Sequence, residues 1–210
     1  DEKLIVACCD CTGHGVPGAF MSMIGSTTLR NIYKLMENTG VWLTPEKVLE
    51  KLDLEIQKIL HQKTALNAED DFFRSRDGMD MTLCEINTKT REVLLSAAKR
   101  HSFVQQDGKI EIISGDKRAI GGGEVDEVPF TTKKYTMKSG EAIYLFSDGY
   151  PDQFGGEKGK KLKWRGFREL LDSLHKKDLS IQSQELSSFF NKWKKDEEQL
   201  DDVCVIGVRI

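Results

Sequence analysis

The stretch that most constrains this chain runs from Leu4 to Met23. An apolar run, Leu4 to Cys9, has the length of a buried strand. It ends on an acid, Asp10. Glycines follow at 13, 15 and 18, and then a run with helical period over residues 19–37. A carboxylate at the end of a buried strand is costly unless a metal ion or another cation offsets it. The glycines let backbone approach a ligand closely. A helix opening after Pro17 offers free N–H groups to an anion.

Gly13-His14-Gly15-Val16-Pro17-Gly18 also fits a dinucleotide-binding fingerprint between a strand and a helix. That fingerprint wants a second strand ending in an acid about 20 residues later. Here that region is Tyr33 to Asn38, the end of the helix. Asp10 would also crowd a pyrophosphate. A nucleotide-dependent enzyme is the second reading.

Helix 19–37 closes at Asn38-Thr39-Gly40. Thr44 caps a second helix with Pro45 at its first position, although Lys47 stands where a capping box wants Glu or Gln. Its apolar face is Val48, Leu49, Leu52, Ile56, Ile59 and Leu60. Residues 63–76 are polar and read as a loop. The period then changes: Met79–Ile86, Val93–Ala98, Ser102–Gln105 and Ile110–Ile113 are strand-like, and Asp107-Gly108 is a hairpin signal. Consecutive hairpins predict antiparallel sheet, against a doubly wound parallel fold. Gly121 to Gly123 and Glu124 to Glu127 read as loop. Ala142–Ser147 is another buried strand, followed by Asp148-Gly149. Residues 155–163 form a basic, glycine-rich loop. Helices follow at about 165–176 and 180–195. A last strand is entered through Asp201 and Asp202.

The 210 residues suit one domain, or one domain with an appendage, and 39% hydrophobic residues supply a core. A net charge of −3 gives no reason to expect nucleic acid as a partner. No apolar run reaches membrane-span length, and no stretch reads as a signal peptide, so neither a membrane span nor a secretory leader is expected. Cysteines stand at 8, 9, 11, 84 and 204 without a C-x-x-C pair, which argues for reduced thiols in the cytoplasm rather than zinc.

Three strands thus carry an acid at an end: Asp10, Asp148 and Asp201, with no basic partner beside them. Each alone reads as a turn former or cap. Together, as hard oxygen donors without His or Cys clusters, they suit Mg²⁺ or Mn²⁺. Two such ions activate water and clamp a phosphate, which is chemistry for phosphoester hydrolysis.

Asp-Cys-Thr-Gly-His-Gly-Val-Pro-Gly-Ala at 10–19, Arg-Asp-Gly-Met-Asp at 76–80, Gly-Asp-Lys-Arg-Ala-Ile-Gly-Gly at 115–122, Leu-Phe-Ser-Asp-Gly-Tyr at 145–150 and Asp-Asp-Val at 201–203 occur in this order. In these motifs the chain resembles the metal-dependent PPM protein phosphatases, within them the SpoIIE/RsbU branch. The resemblance implies an α+β fold, a sandwich of two mainly antiparallel sheets flanked by helices. It implies a single phosphatase domain over 1–210, the C-terminal output module of a larger signalling protein with an upstream sensor domain. It implies hydrolysis of phosphoserine or phosphothreonine with a Mn²⁺/Mg²⁺ pair. The expected substrate is a phosphorylated anti-anti-sigma-type regulator. By resemblance Asp10 bridges the metals, the Cys11 carbonyl completes one site, and Asp148 and Asp201 bind the other faces. Asp77 reads evenly as ligand to a third, weaker metal, as in some relatives, or as a turn residue before Gly78.

Cys11 stands where the wider family commonly has Gly, which is compatible with use of its carbonyl alone. Family members usually carry two strands upstream of residue 1. Their absence predicts an incomplete sheet, a weaker metal site and an open edge that favours a homodimer. A catalytically impaired binding module is the third reading. His14 is read as structural or as support for the site. Asp202 is read as a cap or a support for its neighbour. His101, Lys158, Lys160, Lys161 and Lys163 are read as a solvated surface, with a phosphoprotein contact as the alternative.

Overall fold

Two apolar runs joined by Asn87-Thr88-Lys89-Thr90 build the central hairpin of the first unit, β2 (Gly78–Asn87) and β3 (Glu92–Ala98). The Asn87 carboxamide oxygen accepts the N–H groups of Lys89 and Thr90, which shapes the turn locally. The computed structural model describes residues 2–13, 15–62, 77–122 and 128–210. The expected loops at 63–76 and Glu124–Glu127, and the role of His14, lie outside the described residues. The chain divides into two compact units, residues 1–100 with 115–135, and residues 101–114 with 136–210.

In the first unit β1 (Lys3–Cys11) pairs antiparallel with β2, and the order is β1-β2-β3-β7, with β7 at Thr132–Thr136. A short β6 (Ile120–Gly121) also pairs with β2, so Gly121 belongs to a strand and not to a loop. Because β1 and β2 run antiparallel, the glycine turn after β1 is not part of a parallel dinucleotide-binding unit. Helices α1 (Val16–Thr39) and α2 (Pro45–Ile59) pack against each other and against the sheet. Met21, Ile32 and Met36 of α1 meet Val48, Leu49, Leu52 and Ile56 of α2 in one apolar core with Met79, Met81 and Leu83. Gly40 closes α1 in the left-handed conformation expected of a C-terminal cap.

Two local expectations fail here. β1 is an edge strand, so most of it is only half buried: Cys8 is buried, while Leu4 is 43% exposed. The apolar run signals pairing and one packed face, not two. Thr44 does begin α2, but its hydroxyl gives no cap bond to the helix. It donates to the Glu46 carboxylate, which also accepts from the Thr132 hydroxyl and thereby ties the helix start to β7.

The second unit has a four-stranded antiparallel sheet, β11-β8-β4-β5, from β4 (His101–Gln106), β5 (Lys109–Ser114), β8 (Ala142–Phe146) and β11 (Val205–Arg209). Asp107 and Gly108 both take positive φ, the paired left-handed conformation of a tight β4–β5 hairpin. Helix α3 (Gly149–Asp152) follows β8. The core lies between the sheet, α4 (Lys163–Leu174) and α5 (Leu179–Lys194). Phe103, Phe146, Tyr150 and Phe167 stack there, with ring centres 4.5–5.5 Å apart. Residues 155–163 are not a free loop. Phe154–Gly155 (β9) and Lys160–Lys161 (β10) form a hairpin. It is fixed to α5, where the Trp193 carbonyl accepts the Gly156 N–H and the Trp193 indole donates to the Gln153 carbonyl. A side chain at Gly155 would collide with the Trp193 carbonyl, which is why glycine stands there.

Candidate metal centre

In the first unit, the end of β1 presents Asp10 directly opposite Asp80 of β2. Two like charges facing each other across a ladder repel. Arg100, 7% exposed, forms an ion pair with Asp10. This corrects the expectation that Asp10 has no basic partner. The partner is remote in sequence, and the β2–β3 pairing, which sets Met81 against Ala98, delivers it. No role for Asp80 follows from the sequence alone. It closes the Arg-Asp-Gly-Met-Asp motif at 76–80, and the alternation Met79-Asp80-Met81, with both methionines fully buried, puts the acid on the opposite face.

The backbone next to these acids is firmly held. The Thr12 N–H donates to the Gly78 carbonyl, 2.9 Å, and the Gly78 N–H donates to the Thr12 hydroxyl, 2.8 Å. The half-buried Asp77 sits beside this clasp. Its carbonyl accepts the Gly122 N–H and the carboxamide of the buried Gln62. Cys11 is partly buried against the core, and its sulfur accepts from the Ser22 hydroxyl, 3.5 Å. Its side chain is therefore engaged with α1, and only its backbone suits a hard cation.

In the second unit, Asp148 lies two residues past β8, at the N-cap of α3, and Asp201 lies four residues before β11, the neighbour of β8 in the sheet. A carboxylate oxygen of one lies within 4.8 Å of a carboxylate oxygen of the other. Ser147 makes the clamp that holds them. Its hydroxyl donates to the Asp202 carbonyl, 2.7 Å, and accepts the Cys204 N–H, 2.9 Å, while its own N–H donates to the Cys204 carbonyl. Gly149 is required because a Cβ there would sit 2.4 Å from the Asp202 carbonyl oxygen. Asp201 accepts the Asp202 N–H through Oδ1, 2.7 Å, which fixes its rotamer. Asp202 thus supports its neighbour through its backbone.

Asp148 also has a cation nearby. Lys161 bonds to Asp152, 2.8 Å. That hydrogen bond, then the charges of Asp152 and Asp148, raise the lysine pKa above its ordinary value. His101 packs edge-on against Trp164, ring centres 4.9 Å apart. Lys158, Lys160 and Lys163 are exposed. The donor chemistry fits a hard divalent ion: two carboxylates held this close repel unless a cation lies between them, and among the described residues no soft ligand joins them.

No helix among the described residues is long and apolar enough to cross a membrane. The family model described as Stage II sporulation protein E (SpoIIE) matches residues 1–210. No curated protein sequence matches the chain significantly. Solved structures do. The SiaA-PP2C domain of Pseudomonas aeruginosa is 24% identical with TM-score 0.79, over 99% of this chain and 80% of that one. The PP2C phosphatase domain of SpoIIE from Bacillus subtilis, with a fragment of its regulatory domain, is 17% identical with TM-score 0.71, over 99% of this chain and 55% of that one. This chain thus spans about half the length of that SpoIIE chain. RsbX in complex with magnesium is 18% identical with TM-score 0.58, over 99% of this chain and 81% of that one. At these identities the likeness carries the fold.

Proposed function

Because the chain belongs to the SpoIIE family and is a PP2C-type serine/threonine phosphatase domain of the SpoIIE/RsbU kind, we propose that it removes phosphate from a phosphorylated anti-anti-sigma-type regulator in the cytoplasm, under the control of an upstream sensor domain. Water cleaves the phosphoester, giving the free serine or threonine hydroxyl and inorganic phosphate. Asp10, Asp148 and Asp201 would hold a Mn²⁺ or Mg²⁺ pair, with the Cys11 carbonyl as a further donor and Asp77 as the acid of a third, weaker position. When bound, the ions supply Lewis-acid charge to phosphoryl oxygens and make water more acidic. The protein's own contribution is to pre-position its acids: Ser147 ties the Asp148 strand end to the Asp201–Cys204 segment, and the Thr12–Gly78 clasp fixes the chain just after Asp10.

The observation that carries this reading is the Asp148–Asp201 carboxylate pair, just past β8 and shortly before its neighbour β11. Repulsion within it is offset when a divalent ion is bound, so the pair is matched to a cation rather than to an anionic cofactor. The test is hydrolysis of a small aryl phosphate with and without Mn²⁺, followed by phosphate release from a phosphorylated anti-anti-sigma protein. Turnover that needs Mn²⁺ is expected. Turnover that is equal in excess chelator, or none at any Mn²⁺ concentration, contradicts the reading.

A further inference from the structure

Asp53 of α2 is completely buried, and it lies outside the acids assigned above. Its Oδ1 accepts the Gly121 N–H and the Gln57 carboxamide, both at 2.7 Å. Its other oxygen pairs with Arg118. The Arg118 guanidinium lies 4.8 Å from the centre of the Phe130 ring and donates to the Val128 carbonyl, 3.2 Å. A buried ion pair is no efficient source of stability, since apolar residues of the same volume often do as well. What it does supply here is position.

From Asp53 a run of hydrogen bonds leads towards the end of β1. Asp53 fixes the Gly121 N–H. Gly121 and Gly122 turn with positive φ, and at Gly121 a Cβ would press on Ile56 and the Asp77 carbonyl. The Gly122 N–H donates to the Asp77 carbonyl, 3.0 Å, which Gln62 also holds, 2.7 Å. The next residue, Gly78, has no room for a side chain against the Ile120 carbonyl, and it exchanges hydrogen bonds with Thr12. Thr12 follows Cys11 directly.

We propose that Asp53 is a positioning residue for the metal centre: its carboxylate sets the Gly121–Gly122 corner, which sets Asp77 and the Gly78–Thr12 clasp. The last link rests on the metal reading above. Asp53→Asn keeps the size of the side chain but puts an N–H₂ group where either Arg118 or the Gly121 N–H needs an acceptor.

The test compares wild type, Asp53→Asn and Leu52→Ala, a core truncation on the same helix at a residue that is also fully buried. Two quantities are read: Mn²⁺ affinity by calorimetry, and amide exchange at Thr12, Gly78, Gly121 and Gly122 by NMR. For Asp53→Asn, exchange at the four amides rises and Mn²⁺ affinity falls by about tenfold, the scale of one charge-assisted hydrogen bond. Leu52→Ala lowers the melting temperature by core truncation but leaves every donor and acceptor of the run in place, so its Mn²⁺ affinity stays within about twofold. Should Asp53→Asn not fold, Arg118→Gln, at a side chain that is 16% exposed, carries the same comparison. Wild-type affinity in the Asp53 variant, or an equal loss in Leu52→Ala, overturns the proposal alone. A wild type that takes up no Mn²⁺ overturns it together with the metal reading.

Discussion

Ser147→Ala separates the stability of the second unit from the alignment of its acids. The hydroxyl is 4% exposed at the residue level and makes two bonds, to the Asp202 carbonyl and from the Cys204 N–H. Removing it orphans one acceptor and one donor. Each fully buried orphan costs about 1–3 kcal/mol. Asp202 and Cys204 are exposed residues, so water replaces part of the loss, and the total comes to about 1–2 kcal/mol. For a chain of this size, each kcal/mol lowers the melting temperature by about 2–4 °C, so a drop of roughly 2–8 °C is expected in chelator. With the clamp gone, Asp148 and Asp201 are no longer held together, and Mn²⁺ affinity falls by about tenfold, again the scale of one strong hydrogen bond. The assay is thermal unfolding in chelator beside calorimetric Mn²⁺ titration. Ser96→Ala is the control: Ser96 is 1% exposed, and its hydroxyl has no hydrogen-bond partner among the described residues. Its melting temperature should hold or rise. Equal melting and equal Mn²⁺ affinity for Ser147→Ala and wild type would refute the clamp.

Thr82, fully buried in β2, has a hydroxyl without a partner among the described residues. Thr82→Val should therefore raise stability by about 1 kcal/mol, read from urea unfolding; a destabilised variant contradicts this. Gly78→Ala should cost roughly 1–3 kcal/mol, the usual range for overpacking, because its Cβ would lie 2.7 Å from the Ile120 carbonyl oxygen. Wild-type melting in that variant would show that the clasp can open at no cost. Burial, and secondarily the Glu85 charge, push the Cys84 thiol up to about 12. Its folded pKa thus exceeds the unfolded value of about 9. The unfolded chain releases that proton first, so the stability linked to it is whole below pH 9 and declines between pH 9 and 12. Cys84→Ala should flatten that alkaline decline in a series of melting curves. Iodoacetamide at pH 8 should label the exposed Cys9 and Cys204 while sparing Cys84. Rapid labelling of Cys84 in the folded protein would contradict the burial argument.

The parts legible in the sequence are those set by near neighbours. Gly40 stops α1 because only a left-handed residue closes a helix that way, and Asp107-Gly108 closes β4 on β5 for the same reason. The Val48, Leu49, Leu52 and Ile56 stripe faces a core as its spacing predicts, but Ile59 is 49% exposed because it lies in the last turn of α2. The continuous apolar run Ala142–Phe146 is buried throughout, as a central strand should be. The run Leu4–Cys9 looks the same and is not, because position in a sheet is fixed by pairings remote in sequence. β7, Thr132-Lys133-Lys134-Tyr135-Thr136, is polar enough to read as loop, and it becomes a strand by pairing with β3. The same holds for charge. Nothing near Asp10 announces Arg100, and nothing near Asp53 announces Arg118; both pairs exist because strands and turns far along the chain bring them together. The acids stand out in the sequence because a carboxylate beside an apolar run conflicts with its surroundings, and that conflict is what motivates the proposal that they hold metal.

The central claim is that Asp148 is a direct ligand in a divalent-metal phosphatase centre. The most direct measurement is calorimetric Mn²⁺ titration of the wild type and Asp148→Asn, with circular dichroism to show that both are folded. The account predicts Mn²⁺ binding by the wild type and a loss of at least about tenfold in the variant, since an amide is a neutral and poorer donor for a hard cation. Equal Mn²⁺ binding by the two proteins would contradict it.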